Sequence, residues 1–216
     1  MALPRLDYTT EQADHEAQSR VRRALDAIPS SVKGLDRHVA VAKVMHALTE
    51  DKSQRDYRNA LILSLIIHDG HSALNVANAA GLSRSWMSKY LNRELGEGGT
   101  FRLTESTEDG WRPADERIEQ AKAKVRYHRN AARELPGVAR DCLRVDAIIK
   151  AAREPRNEAT LALVKAGWTQ QAIADATGQR RETIKHMLLT NGQQSRTRRT
   201  PAQIARDTAA AEASEQ

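Results

Sequence analysis

At 216 residues the chain is long enough for one large domain or two small ones, and with 4% aromatic residues its cores must be built from Leu, Ile, Val and Ala. That composition, rich in Ala and Arg and poor in Gly, favours helix over sheet and sets the expectation of an all-α fold. A net charge of +6 and a pI of about 9.7 suit a polyanionic partner, while the lone Cys142 excludes an intrachain disulfide framework and any cysteine-based zinc spacing.

In chain order, no signal peptide is expected, because no basic region leads into a long apolar run. A cytoplasmic, nucleoid-associated setting therefore fits. Residues 11–28 carry Ala13, Ala17, Val21, Ala24, Leu25 and Ile28 at helical spacing, ended by Pro29. A second helix is expected from Asp36, as N-cap, to Leu48, and a third over 53–68 before Asp69-Gly70. The apolar run 60–67 is too short to span a bilayer and reads as part of a buried helix. Residues 97–113 mix Gly, Thr and Ser without helical period. A linker is expected, with a β-hairpin over 100–111 as the alternative; the acids Glu105, Glu108 and Asp109 argue against such a hairpin lying on phosphates. From Ala114, a stripe of Ile118, Ala121, Val125, His128, Ala132 and Leu135 has heptad-like spacing. It suits a spacer helix, with a homodimer through the spacer helices as the alternative, and Pro136-Gly137 is expected to end it. Helices are then expected over 138–153, closed by Pro155, and over 157–166. The expected divisions are 1–96, an N-terminal helical domain; 97–113, a linker; 114–153, spacer helices; 154–192, a second helical unit; and 193–216, a basic flexible tail.

Two stretches carry the most information. In "AGWTQQAIADATGQRRETIKHML", Ala174 is a small residue where two helices could cross closely, and Gly178 stands where the chain must reverse. Ile173, Thr177, Ile184 and Met187 face inward, and Thr169 is a good N-cap. An earlier stretch, "DGHSALNVANAAGLSRSWMSKYL", matches it at a constant offset of 97. Gly70, Ser72, Val76, Ala77, Gly81, Met87 and Tyr90 correspond to Gly167, Thr169, Ile173, Ala174, Gly178, Ile184 and Met187. This is an internal repeat. Charge concentrates at the second copy: residues 178–200 hold six Lys and Arg against the single acid Glu182.

Both stretches resemble the helix-turn-helix DNA-binding superfamily of bacterial and phage regulators, with motifs at about 72–92 and 169–189. The resemblance implies two three-helix units joined by a linker and spacer helices, with the second helix of each motif reading the major groove. Carried over by position, the DNA-facing residues are Ser83, Arg84, Ser85, Ser88, Lys89 and Asn92 in the first unit. In the second they are Gln170 and Gln171 at a helix N-terminus, then Arg180, Arg181, Glu182, Thr183, Lys185 and His186. The second unit departs from the pattern where Gln179-Arg180 replaces the Ser or Thr cap after the turn. Trp86 suits packing better than contact, and the run 196–199 suits either a DNA arm or a solvated tail.

Catalytic chemistry is not indicated. His68 and His71 lack a third ligand nearby and read as solvated or capping, Cys142 reads as a small core residue, and "GEGG" lacks the lysine and preceding strand of a phosphate loop. No metal or cofactor is expected, nor enzymatic activity. Together these features point to a sequence-specific binder of double-stranded DNA, a transcriptional regulator or repressor reading a bipartite site. The alternative is a recognition subunit for phage packaging, partition or recombination.

Overall fold

The structure, a computed structural model, describes residues 3–49, 53–96, 100–107 and 110–190. Among the described residues the fold is all-α in class, nine helices with one short hairpin. The chain gathers into two compact units, each discontinuous in sequence. One is formed by Met1–Ala27 and Ala47–Arg153, the other by Ile28–His46 and Glu154–Gln216.

In the first unit, α1 (Thr10–Asp26) opens on a capping box. Thr9 Oγ1 accepts from the Gln12 N–H at 3.1 Å, and the Thr9 N–H donates to Gln12 Oε1 at 2.8 Å. Its small face, Ala13 and Ala17, packs against Ala147 and Ile148 of α7 (Ala131–Lys165), with Glu16–Arg144 and Asp14–Lys150 pairs alongside at 3.0 and 2.8 Å. The apolar run at 60–67 does become a buried helix, α3 (Ser53–Ile67). Leu61, Ile62, Leu65, Ile66 and Ile67 are at most 2% exposed, each worth about 1.5–3 kcal/mol of burial. Around α3 pack α4 (Ala73–Ala79), α5 (Arg84–Leu95), α6 (Asp115–Lys124) and the start of α7.

The segment after α5 is not a bare linker. It forms an antiparallel hairpin, β1 (Thr104–Thr107) with β2 (Gly110–Pro113), in which Thr104 lies opposite Pro113 and Thr107 opposite Gly110. Asn92 Oδ1 accepts the Phe101 N–H at 2.8 Å and so ties the approach to α5, while the Ala114 N–H donates to the Leu103 carbonyl at 3.0 Å and closes the base of the hairpin.

The second unit comprises α2 (Gly34–Ala47), the later part of α7, α8 (Gln170–Thr177) and α9 (Arg181–Thr190). Asp36 is not an N-cap. The helix starts two residues earlier and Asp36 lies in its first turn. The core is small: Leu163, Ile173, Ala174, Ile184, Met187 and Leu188, with Val39 of α2 packed against it.

The expected helices over 114–135, 138–153 and 157–166 are replaced by a different pattern. The stripe breaks after α6, where Val125 adopts an extended ψ of 127°. Ala121 and Leu135, from either side of the break, are both buried in the core of the first unit. Beyond it, α7 runs unbroken for 35 residues through Pro136, Gly137 and Pro155. A proline inside a helix removes a hydrogen bond and costs about 3 kcal/mol. Here that is outweighed by the burial of Leu135, Ala139, Cys142, Ile148, Ala152, Ala159 and Leu163 along the same helix. Residues 114–153 thus belong to the first compact unit, and α2, from the expected N-terminal domain, belongs to the second. Among the described residues no helix is long and apolar enough to cross a membrane.

Candidate nucleic-acid interface

Two pairs of short helices repeat one geometry at the 97-residue offset. Ser72 Oγ caps α4 by accepting from Asn75 N–H at 3.2 Å, and Thr169 Oγ1 caps α8 by accepting from Ala172 N–H at 3.1 Å. The turns that follow pass through Gly81 at φ +62° and Gly178 at φ +77°, the left-handed region that favours glycine. Both second helices then start at an arginine, Arg84 in α5 and Arg181 in α9. The first backbone bonds correspond as well, Met87 N–H to Ser83 carbonyl at 3.0 Å and Ile184 N–H to Arg180 carbonyl at 3.2 Å. Val76, Ala77, Met87 and Tyr90 are buried in the first pair; Ile173, Ala174, Ile184 and Met187 are buried at the equivalent places in the second.

The inward anchoring fixes what faces outward. Arg84, Ser85, Ser88 and Lys89 are exposed on α5, and Arg180, Arg181, Glu182, Thr183, Lys185 and His186 are exposed at and along the start of α9. Among the described residues, the side chains of Arg84, Lys89, Arg180, Arg181 and Lys185 make no hydrogen bond or ion pair. Such cations are fully available to phosphates or to guanine edges. By contrast, Arg93 pairs with Glu94 at 2.7 Å and lies 5.3 Å over the Tyr90 ring.

Other sequence-derived positions are already engaged. The Ser83 hydroxyl caps α5 by accepting from Trp86 N–H at 3.1 Å. Asn92 is half-buried and its Oδ1 holds the approach to the hairpin, so it acts as a brace, not a free reading group. Gln170 is half-buried, and the exposed Gln171 donates its amide to Asp175 at 2.8 Å. His186 Nδ1 lies 3.5 Å from the Thr190 hydroxyl, which also donates to the His186 carbonyl at 2.9 Å. Trp86 packs, stacked on Tyr90 at 4.9 Å with Arg58 on the ring at 5.3 Å. Burial pushes the Tyr90 hydroxyl up to about 12, so it stays a neutral donor to the Asn59 carbonyl at 3.1 Å. His68 Nε2 lies 2.7 Å from the Val125 carbonyl, and Cys142 is fully buried, its thiol pushed up by desolvation. The run 196–199 lies outside the described residues.

Gln179 is a bracing residue that the sequence did not reveal. Instead of a cap facing solvent, it is 6% exposed and turned inward. Its amide nitrogen lies 3.2 Å from both Thr160 Oγ1 and Thr177 Oγ1. Those hydroxyls in turn donate to the Arg156 and Ile173 carbonyls at 2.8 and 2.7 Å. Every hydroxyl both accepts and donates, so the network closes and pins the turn just before Arg180 and Arg181. The available signal was two threonines, 160 and 177, at otherwise apolar helix positions. Gln179→Ala is expected to destabilise the protein by about 1–3 kcal/mol, because two buried hydroxyls lose their donor. Thermal denaturation checks this, and an unchanged midpoint would show that the network contributes nothing.

No protein family, curated protein or solved structure matches this chain.

Proposed function

We propose that the chain binds double-stranded DNA sequence-specifically through two helix-turn-helix units, with α5 and α9 as the reading helices, and acts as a transcriptional regulator. One observation carries this function. The same capped helix, positive-φ glycine turn and buried anchors occur twice at a fixed offset, and each copy presents unpartnered cations on its second helix. A helix held only by its inner face can enter a major groove with its outer face free. Arg84, Arg181 and Arg180 suit bidentate contact with guanine, and Lys89 and Lys185 suit phosphates. The two faces differ in side chains: Ser85 stands where Glu182 stands, and Lys89 where His186 stands. Unlike faces read unlike sequences, so one chain spans an asymmetric, bipartite site. Selection of binding sites from random duplex DNA, with the stoichiometry of the complex measured, tests this. An asymmetric motif bound by one chain is the expected result. A palindrome bound by two chains would instead assign recognition to a dimer with one dominant head, and no enriched motif would overturn the proposal.

A further inference from the structure

A second surface lies outside both reading helices, where residues 125–130 join α6 to α7. From Lys122 to Arg133 the chain carries five Lys and Arg and no acid. Arg126, Arg129 and Arg133 are exposed and, among the described residues, their side chains make no hydrogen bond or ion pair. Within this basic stretch stands Tyr127, 54% exposed, and on α3, in contact with the neighbouring His128, stands Tyr57, 40% exposed.

Both rings are held in place. His68 meets Tyr127 at 5.4 Å between ring centres and 62° between planes, and His128 meets Tyr57 at 5.9 Å and 73°. Contact at so steep an angle leaves ring face uncovered. The supports are themselves anchored: His68 Nε2 lies 2.7 Å from the Val125 carbonyl, and the His128 N–H donates to the fully buried Ser64 hydroxyl at 2.8 Å. The Tyr57 hydroxyl is fixed to Glu134. The loop is thus a preformed aromatic platform flanked by free guanidinium groups, and binding to it costs little ordering.

We propose that this platform binds single-stranded nucleic acid, with unpaired bases stacking on Tyr127 and Tyr57 and backbone phosphates held by Arg126, Arg129 and Arg133. Stacking faces set between cations match the alternation of base and phosphate along one strand. A duplex hides its base faces and cannot use them. The site is independent of the duplex-reading helices, since none of its residues lies in α4, α5, α8 or α9.

The test uses the full chain with labelled oligothymidine and oligouridine at low salt, read by fluorescence anisotropy. Binding of at least one is expected, and the tighter arm identifies the preferred sugar; equal binding means the platform is indifferent to it. Tyr127→Ala is expected to weaken binding about 5- to 150-fold, and Tyr127→Phe to restore it, because stacking needs the ring and not the hydroxyl. Arg126→Ala and Arg129→Ala each lower the salt dependence by about 0.7 in log–log slope. Arg180→Ala with Arg181→Ala leaves single-strand binding intact. The proposal is overturned if neither oligonucleotide binds, if Tyr127→Ala binds like the parent, or if the loss follows Arg180 and Arg181 instead.

Discussion

Replacing Arg180 and Arg181 together by alanine is expected to lower affinity for the selected duplex on the order of 100-fold or more, since each bidentate guanine contact is worth about 1–3 kcal/mol. Both side chains are exposed and without partners among the described residues, so removing them leaves no buried group unsatisfied. The fold should therefore survive, and circular dichroism of the variant should match the parent. The salt dependence of the remaining binding should also flatten, by about 0.9 in slope for each phosphate no longer neutralised. A variant that retained its affinity at low salt would place the reading face elsewhere on the molecule. The matched substitution Arg84→Ala tests the first unit. Loss of preference at one base of the half-site, with the other half-site unchanged, is the outcome expected if each helix reads its own sequence.

The largest effect on stability is expected from Ile184→Ala. Ile184 is fully buried in a cluster that holds six buried apolar residues among the described ones, so truncation removes a large share of what joins α8 and α9 to α7. A cost of about 2–5 kcal/mol is expected for such a cavity. Hydrogen exchange resolves where that cost falls. Amides of α8 and α9 should exchange much faster, while those of α4 and α5 stay protected. Met87→Ala, at the equivalent place in the first unit, should act on α4 and α5 instead, with a smaller fractional effect because that core includes all of the α3 apolar face. Equal loss of protection in both units from either substitution would mean that they open as one.

Local signals are legible in the sequence. The capping residues Ser72, Ser83 and Thr169 and the turn glycines Gly81 and Gly178 declare themselves because their effects act within four residues. The offset of 97 was legible for the same reason, as a repeat of local chemistry. Features decided by tertiary burial were not. Pro136, Gly137 and Pro155 are strong helix breakers taken alone, and only the apolar surface that they help α7 to cover keeps the helix intact. The acids after α5 spoke against a hairpin lying on DNA, but not against a hairpin as such. Asn92 and Gln179 fit reading-face and cap positions by spacing, yet partners 9 and 19 residues away turned both to bracing. Likewise, nothing in α2 announces that Val39 belongs with Leu163 and not with its chain neighbours.

That last pairing governs the order in which the protein can be built. Because the second unit draws on Ile28–His46 and on the chain from Glu154, residues 47–153 must be looped out before it can close. The entropy of so long a loop grows only with the logarithm of its length, so the cost in stability is modest, but the pairings are distant in sequence and slow to find. Until the later part of α7, α8 and α9 are present, the core-facing side of α2 has no partner in its own unit. A fragment cut at residue 154 to isolate the more basic head would lack the helix bearing Val39, and a fragment ending at residue 113 would lack the surface of α7 that covers α1. The second unit is thus complete only once the chain through α9 has been made, and a fragment that stops short of α9 lacks Ile184, Met187 and Leu188 of its core.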